Sequence, residues 1–256
     1  MNNKGFSNSF SALIVFISLV MTACAAQNNQ IVKEQAEASK NLGEAYMNQG
    51  NYTAALKELL GAESKNPNDP MIQNSLGLVY MAKERPELAI KHFQKALELQ
   101  PDLSPAINNL GNAYLRLNQW DKAIEQFKSL TNDLLYATPH FPLTNLGFAY
   151  YCKGNYKEAE EYYLEALDVQ PKFAIALRGL GRTYMKMEEL EKAQEFLSEA
   201  ISTDPLFAPA YMDLARIHLL LGEIEKAKKA FQQVISIAPD SSLAKEARQD
   251  LKPLSD

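Results

Sequence analysis

The chain has 256 residues, with 26 basic and 31 acidic side chains, and its formal net charge is −5. An acidic chain lacks the basic surface that nucleic-acid-binding proteins present to phosphates. Its charges also form no run of like sign that would bind a membrane surface. These properties exclude a nucleic-acid binder and a polybasic peripheral membrane protein.

Residues 1–23 resemble a lipoprotein signal peptide. Lys4 precedes an apolar run over residues 12–21, which is shorter than the roughly 20 residues needed to span a bilayer but suits a signal-peptide core. The following Met21-Thr22-Ala23-Cys24 resembles the bacterial lipobox, with Met21 in place of the usual leucine. We expect cleavage before Cys24 and acylation of its thiol and new amino group, because several acyl chains give a stable membrane anchor. Plain secretion, with cleavage near residues 23–26, is the alternative.

The residue after the cysteine is Ala25, where an aspartate would favour retention in the inner membrane of enteric-type bacteria. We therefore expect anchoring to the outer membrane, on its periplasmic side. Acylation of Cys24 would leave Cys152 without a partner for an intramolecular disulfide. Residues 24–35 are polar and predict a tether, which would reach about 40 Å if it were fully extended.

A unit of 34 residues recurs along the rest of the chain. Leu-Gly or Leu-Ala pairs begin at Leu42, Leu76, Leu110, Leu146, Leu180 and Leu214, at intervals of 34, 34, 36, 34 and 34 residues. Each leucine is followed at fixed spacing by a small residue, namely Ala55, Ala89, Ala123, Ala159, Ala193 or Ala227. Further on comes a bulky apolar one: Leu59, Phe93, Phe127, Tyr163, Leu197 or Phe231. Each unit predicts two closely crossing helices packed through these residues.

Glycines and prolines mark the expected helix ends in these units. Gly50, Gly154 and Gly222 lie where the first helix should end, since glycine tolerates a positive φ. The prolines that should stop the second helix, because they lack an N–H, are Pro67, Pro101, Pro171, Pro205 and Pro239.

The period and pattern resemble the tetratricopeptide (TPR) repeat. The resemblance implies an all-α superhelical solenoid of six helix-turn-helix repeats with a C-terminal capping helix. We expect repeats at residues 36–69, 70–103, 104–139, 140–173, 174–207 and 208–241, and a cap and tail at 242–256. The third repeat has a two-residue insertion within residues 131–139, where the stack should bend or loosen.

No nucleotide-binding or nucleophile motif occurs, and the three histidines lack partners at metal-ligand spacing. We therefore expect no enzyme activity, cofactor or metal. The TPR resemblance implies instead that the first helices line a concave groove that binds protein partners. Carried onto this chain, the groove is formed by Leu78, Met81, Asn108, Asn112, Phe141, Asn145, Phe148, Tyr151, Arg178, Arg182 and Met185.

Within this groove the apolar side chains predict a partner site. Arg178, Arg182 and Lys186, with Arg216 beside them, predict a basic stripe next to it. The alternative is that curvature packs some of these side chains against neighbouring repeats. Glu44 stands where the carboxylate clamp of some TPR proteins has asparagine, which argues against recognition of an EEVD-like tail.

The junction after the third repeat points to one group within the TPR proteins. Its Asp133-Leu134-Leu135-Tyr136, followed by Pro139 and Asn145-Leu146-Gly147, is similar to that of the type IV pilus biogenesis lipoproteins PilF and PilW, the secretin pilotins. This resemblance implies a lipoprotein that brings secretin subunits to the outer membrane and promotes their assembly. The alternative is a TPR adaptor lipoprotein that docks a periplasmic protease or a peptidoglycan hydrolase.

Overall fold

The computed structural model describes residues 27–131 and 138–254, and all regular secondary structure in these ranges is helical. The chain divides into two compact units, one ending at Asn109 and the other beginning at Leu110. The predicted signal peptide, its Cys24 and residues 132–137 of the third junction lie outside the described residues. The expected loosening of the stack at that junction therefore stays a prediction.

The first unit contains α1 (residues 27–48), α2 (Tyr52–Lys65), α3 (Pro70–Ala82), α4 (Pro86–Leu99) and the start of α5 (Ser104–Arg116). Within it, α2 packs on α3 and α3 packs on α4. Capping fixes the start of α3, because the Asp69 carboxylate accepts hydrogen bonds from the backbone N–H groups of Met71 and Ile72 at 2.8 and 3.3 Å. An acidic cap also suits the positive end of the helix dipole.

The second unit contains the rest of α5 and eight further helices within its described residues. They are α6 (Trp120–Thr131), α7 (His140–Lys153), α8 (Tyr156–Val169), α9 (Ala174–Lys186), α10 (Leu190–Thr203), α11 (Ala208–Leu220), α12 (Ile224–Ile237) and α13 (Ser242–Leu251). From α6 onward each helix packs on the next. A short 3₁₀ turn, Lys252–Leu254, follows α13.

The predicted ends of the second helices are confirmed. The prolines at 67, 101, 171, 205 and 239 each lie two residues beyond the last helical residue of α2, α4, α8, α10 and α12. Proline has no N–H to donate and clashes with the preceding turn, so the helix ends before it. The predicted positive φ is also present at Gly50, Gly154 and Gly222, at 74°, 87° and 73°.

The core has the predicted composition. All six repeat alanines and all six bulky residues are buried, with exposed fractions of 0 to 3%. The glycine of each Leu-Gly pair explains how the helices approach so closely. A Cβ added at Gly77, for example, would lie 2.3 Å from Cε1 of Phe93, a distance that no side chain tolerates without a shift.

Two expectations are wrong at the N-terminal end. Residues 27–35 are helical and continue into α1, so this part of the tether rises about 1.5 Å per residue instead of the 3.3 Å or more of an extended chain. Leu42 was expected in the core with the other repeat leucines but is 44% exposed. Leu76 packs against Leu59 and Ala62 of the preceding second helix, whereas no described helix precedes α1 to cover Leu42.

Candidate partner-binding groove

The predicted groove residues fall in both units, and none of them is fully buried. In the first unit Leu78 and Met81 on α3 and Asn108 on α5 are half-buried. In the second unit the residues are Asn112 on α5, then Phe141, Asn145, Phe148 and Tyr151 on α7, then Arg178, Arg182 and Met185 on α9. Phe141 and Phe148 are 45% and 36% exposed, so these two rings present apolar surface to solvent.

A pocket of about 250 Å³ lies where the first helices of two successive repeats, α7 and α9, meet. Four predicted groove residues line it: Asn145, Phe148, Arg178 and Arg182. Thr144, Ile175, Gly179 and Tyr163 complete the lining. The pocket is smaller than the sites that hold drug-sized ligands, which exceed about 300 Å³, and therefore suits one large side chain.

Gly179 shapes the pocket. A Cβ at this position would lie 2.4 Å from Cε1 and from Cζ of Tyr163, so only glycine lets the tyrosine ring reach under α9. Tyr163 is 3% exposed, and its burial raises the pKa of the phenol well above its usual range. The tyrosine is therefore a neutral wall of the pocket.

Arg182 supplies the positive charge of the pocket. Its guanidinium carbon lies 4.8 Å from the centroid of the Tyr151 ring, and its Nη2 donates to the Tyr151 hydroxyl at 3.4 Å. The cation is thus held over an aromatic face. Within residues 27–131 and 138–254 it forms no salt bridge, so its charge remains available to a carboxylate from outside.

The predicted basic stripe is wrong for two of its four members. Arg178 donates from Nε to Oδ2 of Asp213 at 2.6 Å, and Asp213 is 2% exposed. Arg216 donates to Glu246 at 2.5 Å and lies 3.8 Å from Asp213. Both arginines are neutralised by carboxylates, because Asp213 sits one repeat beyond Arg178 and Glu246 lies on α13.

An aromatic cluster closes the N-terminal end of α7. The Phe141 ring lies 4.3 Å from His140 and 5.5 Å, edge-on, from Phe173, measured between ring centroids. His140 also meets Phe173 edge-on at 5.0 Å. Phe141 is therefore partly packed against its own unit while the rest of its ring faces solvent.

Other chemistry is sparse in the described ranges. No group of three His, Cys, Asp or Glu side chains there could hold a metal ion. None of the helices in the same ranges combines the length and the apolar character needed to cross a bilayer. Cys152, near the end of α7, is half-buried, and burial raises the pKa of its thiol, which disfavours the reactive thiolate.

Comparison with known families agrees with this geometry. Tetratricopeptide repeat families match residues 43–84 and 69–132. The family described as the cilia and flagella-associated protein 70 C-terminal domain, also a TPR domain, matches residues 103–233, which is just over half of the chain. The chain belongs to the tetratricopeptide repeat family. TPR domains are in general protein-interaction modules without enzyme activity.

Two type IV pilus proteins are similar over most of this chain. The type IV pilus assembly protein PilF of Pseudomonas aeruginosa is 23% identical over 180 residues, which is 66% of this chain and 71% of PilF. The crystal structure of PilW, described as a widely conserved type IV pilus biogenesis factor, superposes with a TM-score of 0.75. It is 24% identical and covers 82% of this chain and 97% of PilW.

A solved structure of Pseudomonas aeruginosa PilF superposes with a TM-score of 0.69 at 20% identity, over 86% of this chain and 99% of that one. These superpositions confirm the predicted TPR fold. The protein is therefore a TPR protein that resembles PilF and PilW.

Sequence reasoning missed part of the pocket. Tyr163 was assigned to the core alone, yet one side of its ring lines the pocket. Gly179 had no predicted role. A signal for it was present, because the residue before the repeat leucine is polar in the other repeats, at Asn41, Ser75, Asn109, Asn145 and Asp213.

Proposed function

We propose that this TPR protein is a lipoprotein of the outer membrane that binds protein partners in its groove and promotes localisation and assembly of the type IV pilus secretin. The observation that carries the proposal is the similarity to PilF, a type IV pilus assembly protein, over 66% of the chain. The third-repeat junction described above supports it further.

The pocket between α7 and α9 is the contact we assign to the partner. It joins an exposed aromatic ring, Phe148, to the cation of Arg182, which forms no salt bridge within the described residues, with an apolar wall from Ile175. Burying an apolar side chain beside Phe148 would contribute about 1.5–3 kcal/mol. A neighbouring carboxylate would add a charge-assisted hydrogen bond to Arg182. The proposed ligand is thus a segment that places an apolar side chain next to an acidic one.

Acylation at Cys24 would couple this binding to assembly. A lipid anchor confines the protein and any bound secretin subunit to one membrane. Confinement raises the effective concentration of subunits without new contacts between them. The groove would therefore capture subunits, and the anchor would determine where they accumulate.

The test is fractionation of membranes from a strain that lacks the protein, followed by blotting for heat-resistant secretin multimers. We expect the multimers to be lost, to return with the wild-type protein, and to remain absent from the outer membrane with Cys24→Ala. Multimers at wild-type level in the deletion strain would refute the secretin role. A crosslinking search from the Phe148 position for a protease or hydrolase would then test the adaptor alternative.

The groove has its own test. Phe148→Glu should weaken binding of the purified periplasmic domain of the secretin at least tenfold. The variant would lose the apolar contact at Phe148, and its carboxylate would compete with the partner's acidic side chain for Arg182. Leu164→Glu is the matched control, since Leu164 on α8 is 40% exposed and lies outside the pocket. Equal losses in both variants, or none in either, would show that the partner does not use this pocket.

A further inference from the structure

Three repeats contain a stacked pair of rings between their two helices. The first ring lies four residues after the repeat leucine and the second lies sixteen after it. The pairs are Tyr80 with His92, Tyr150 with Tyr162, and Tyr184 with Phe196, with centroids 5.2, 5.3 and 5.4 Å apart and planes within 14° of parallel. In these three repeats the space between the two helices thus accepts a second flat ring beside the first.

The last repeat has only half of such a pair. His218 on α11 takes the first position, but the second, on α12, is Ala230. His218 is held in place because its Nδ1 lies 2.7 Å from Oε2 of Glu223. Ala230 puts a methyl group where three of the other repeats carry a ring and where the remaining two carry Glu58 and Gln126. The space beside the imidazole is therefore left open.

An apolar pocket of about 260 Å³ occupies this position. Tyr211, Leu214 and His218 line it from α11, and Lys226, Lys229 and Ala230 line it from α12. We refer to it as the α11–α12 slot. It belongs to the sixth repeat, whereas the α7–α9 pocket is formed by the fourth and fifth repeats, and the two share no lining residue.

The charge around the slot is positive. Lys226 is 58% exposed at its side chain and bonds to Glu223 at 2.7 Å. Lys229 is exposed and forms no salt bridge within the described parts of the chain. A segment entering the slot would therefore meet Lys229, which has no salt bridge within the described residues, and Lys226, which already has a carboxylate partner.

We propose that the α11–α12 slot binds an aromatic side chain from an acidic segment of a partner protein. The ring would stack on His218 in the place that His92, Tyr162 and Phe196 fill in their own repeats. A flanking aspartate or glutamate would pair with Lys229. The three internal pairs favour an aromatic ligand, because the same space between paired helices already holds a planar ring in those repeats.

Labelled pentapeptides test the slot on the full-length protein by fluorescence polarisation. The probe is acetyl-Gly-Asp-Phe-Asp-Gly-amide, compared with versions carrying alanine for phenylalanine or lysine for both aspartates. We expect the first to bind at least tenfold more tightly than the alanine version. Equal affinity of the phenylalanine and alanine peptides would overturn the proposal, because the slot would then not recognise a ring.

Two variants locate the binding. Ala230→Phe fills the slot with the protein's own ring and should weaken the phenylalanine peptide at least tenfold while leaving the far-ultraviolet circular dichroism unchanged. Lys229→Glu, on an exposed side chain, should weaken the aspartate peptide about threefold or more and favour the lysine peptide. Unchanged binding in both would place the peptide elsewhere on the protein.

Sedimentation velocity separates a partner protein from a second copy of this chain. The wild-type protein should remain at the same oligomeric state as Ala230→Phe across concentration. Self-association of the wild type that Ala230→Phe abolishes would overturn the assignment to a partner. Phe148→Glu should not alter peptide binding here, so failure of the groove proposal and failure of this one are distinguishable.

Discussion

One backbone position is left-handed in all six repeats, eight residues after the repeat leucine. Three of these residues are glycines, Gly50, Gly154 and Gly222, and three are not, namely Glu84, Asn118 and Glu188, with φ of 57°, 56° and 63°. The turn is the same in each case, because the residue two positions later is the first residue of the second helix. The shared geometry predicts that glycine is a better residue than glutamate at positions 84 and 188 and about equal to asparagine at position 118.

Glu188→Gly should therefore stabilise the protein. A non-glycine residue in this conformation costs about 1–2 kcal/mol, whereas a new glycine costs about 0.4–1 kcal/mol through the entropy of the unfolded chain. The Glu188 side chain is exposed and makes no polar contact within the described residues, so its removal loses nothing else. The net gain in the free energy of unfolding should be about 0.5–1 kcal/mol, and Glu84→Gly should behave alike.

The reverse change tests the same reasoning. Gly154→Ala places a Cβ in open space, since no atom lies within 4 Å of it, and φ is 87°. Any loss must therefore come from the backbone conformation and not from a clash. We expect a destabilisation of about 1 kcal/mol. Asn118→Gly is the control and should change the free energy of unfolding little, because asparagine tolerates the left-handed region.

Thermal unfolding followed by circular dichroism measures these effects. For a chain of this size, about 1 kcal/mol moves the midpoint by roughly 2–4 °C. Glu84→Gly and Glu188→Gly should raise the midpoint, Gly154→Ala should lower it, and Asn118→Gly should leave it within about 1 °C. A fall in midpoint for Glu188→Gly, or none for Gly154→Ala, would refute the assignment of the cost to φ.

Three further perturbations have defined outcomes. Arg178→Met should lower the free energy of unfolding by about 1–3 kcal/mol in urea titrations, because it leaves the buried Asp213 carboxylate without its 2.6 Å partner. The double variant with Asp213→Leu should recover most of this loss. No recovery would contradict the ion-pair explanation. Gly179→Ala should lower the free energy of unfolding by about 1–3 kcal/mol, because its Cβ would clash with the buried tyrosine ring. Gly61→Ala, mid-helix with open space around it, should raise the free energy of unfolding by about 0.5–1 kcal/mol. Melting midpoints that move in the same direction for both variants would contradict this explanation. Burial lowers the pKa of His92 despite the opposing charge of a nearby glutamate. The unfolded state therefore binds a proton at this histidine more readily, and the free energy of unfolding should fall as pH drops from about 6.5 through the folded pKa. His92→Phe should flatten this part of a stability–pH curve, and an unchanged slope would assign the pH dependence to other groups.

Much of the second unit's groove was predictable because the repeat fixes where each residue of a first helix lies. The TPR resemblance implies groove positions for Phe148, Arg178 and Arg182, and Asn145 is expected to hydrogen-bond a peptide there. All four line the α7–α9 pocket. Spacing says nothing about charge partners, however. Arg178 pairs with Asp213, 35 positions away, and Arg216 pairs with Glu246, 30 positions away. Together these two pairs neutralise half of the predicted basic stripe.

The sequence by itself determined the period, the paired helices, their ends and the core. These depend on side chains that recur at fixed intervals and act within one repeat, such as an alanine beneath a bulky residue or a proline after a helix. Signals of this kind are local, so they can be read without coordinates.

Only the tertiary structure decided the features that arise between helices. The left-handed φ at Glu84 and Glu188 is imposed by packing of the two helices that the turn joins, against the preference of glutamate. The α7–α9 pocket exists because Gly179 admits the ring of Tyr163 from the preceding repeat. The α11–α12 slot exists because Ala230 leaves open a space that a ring fills in three other repeats. Each depends on the volume of one side chain relative to a neighbour from another helix, which sequence periodicity does not encode.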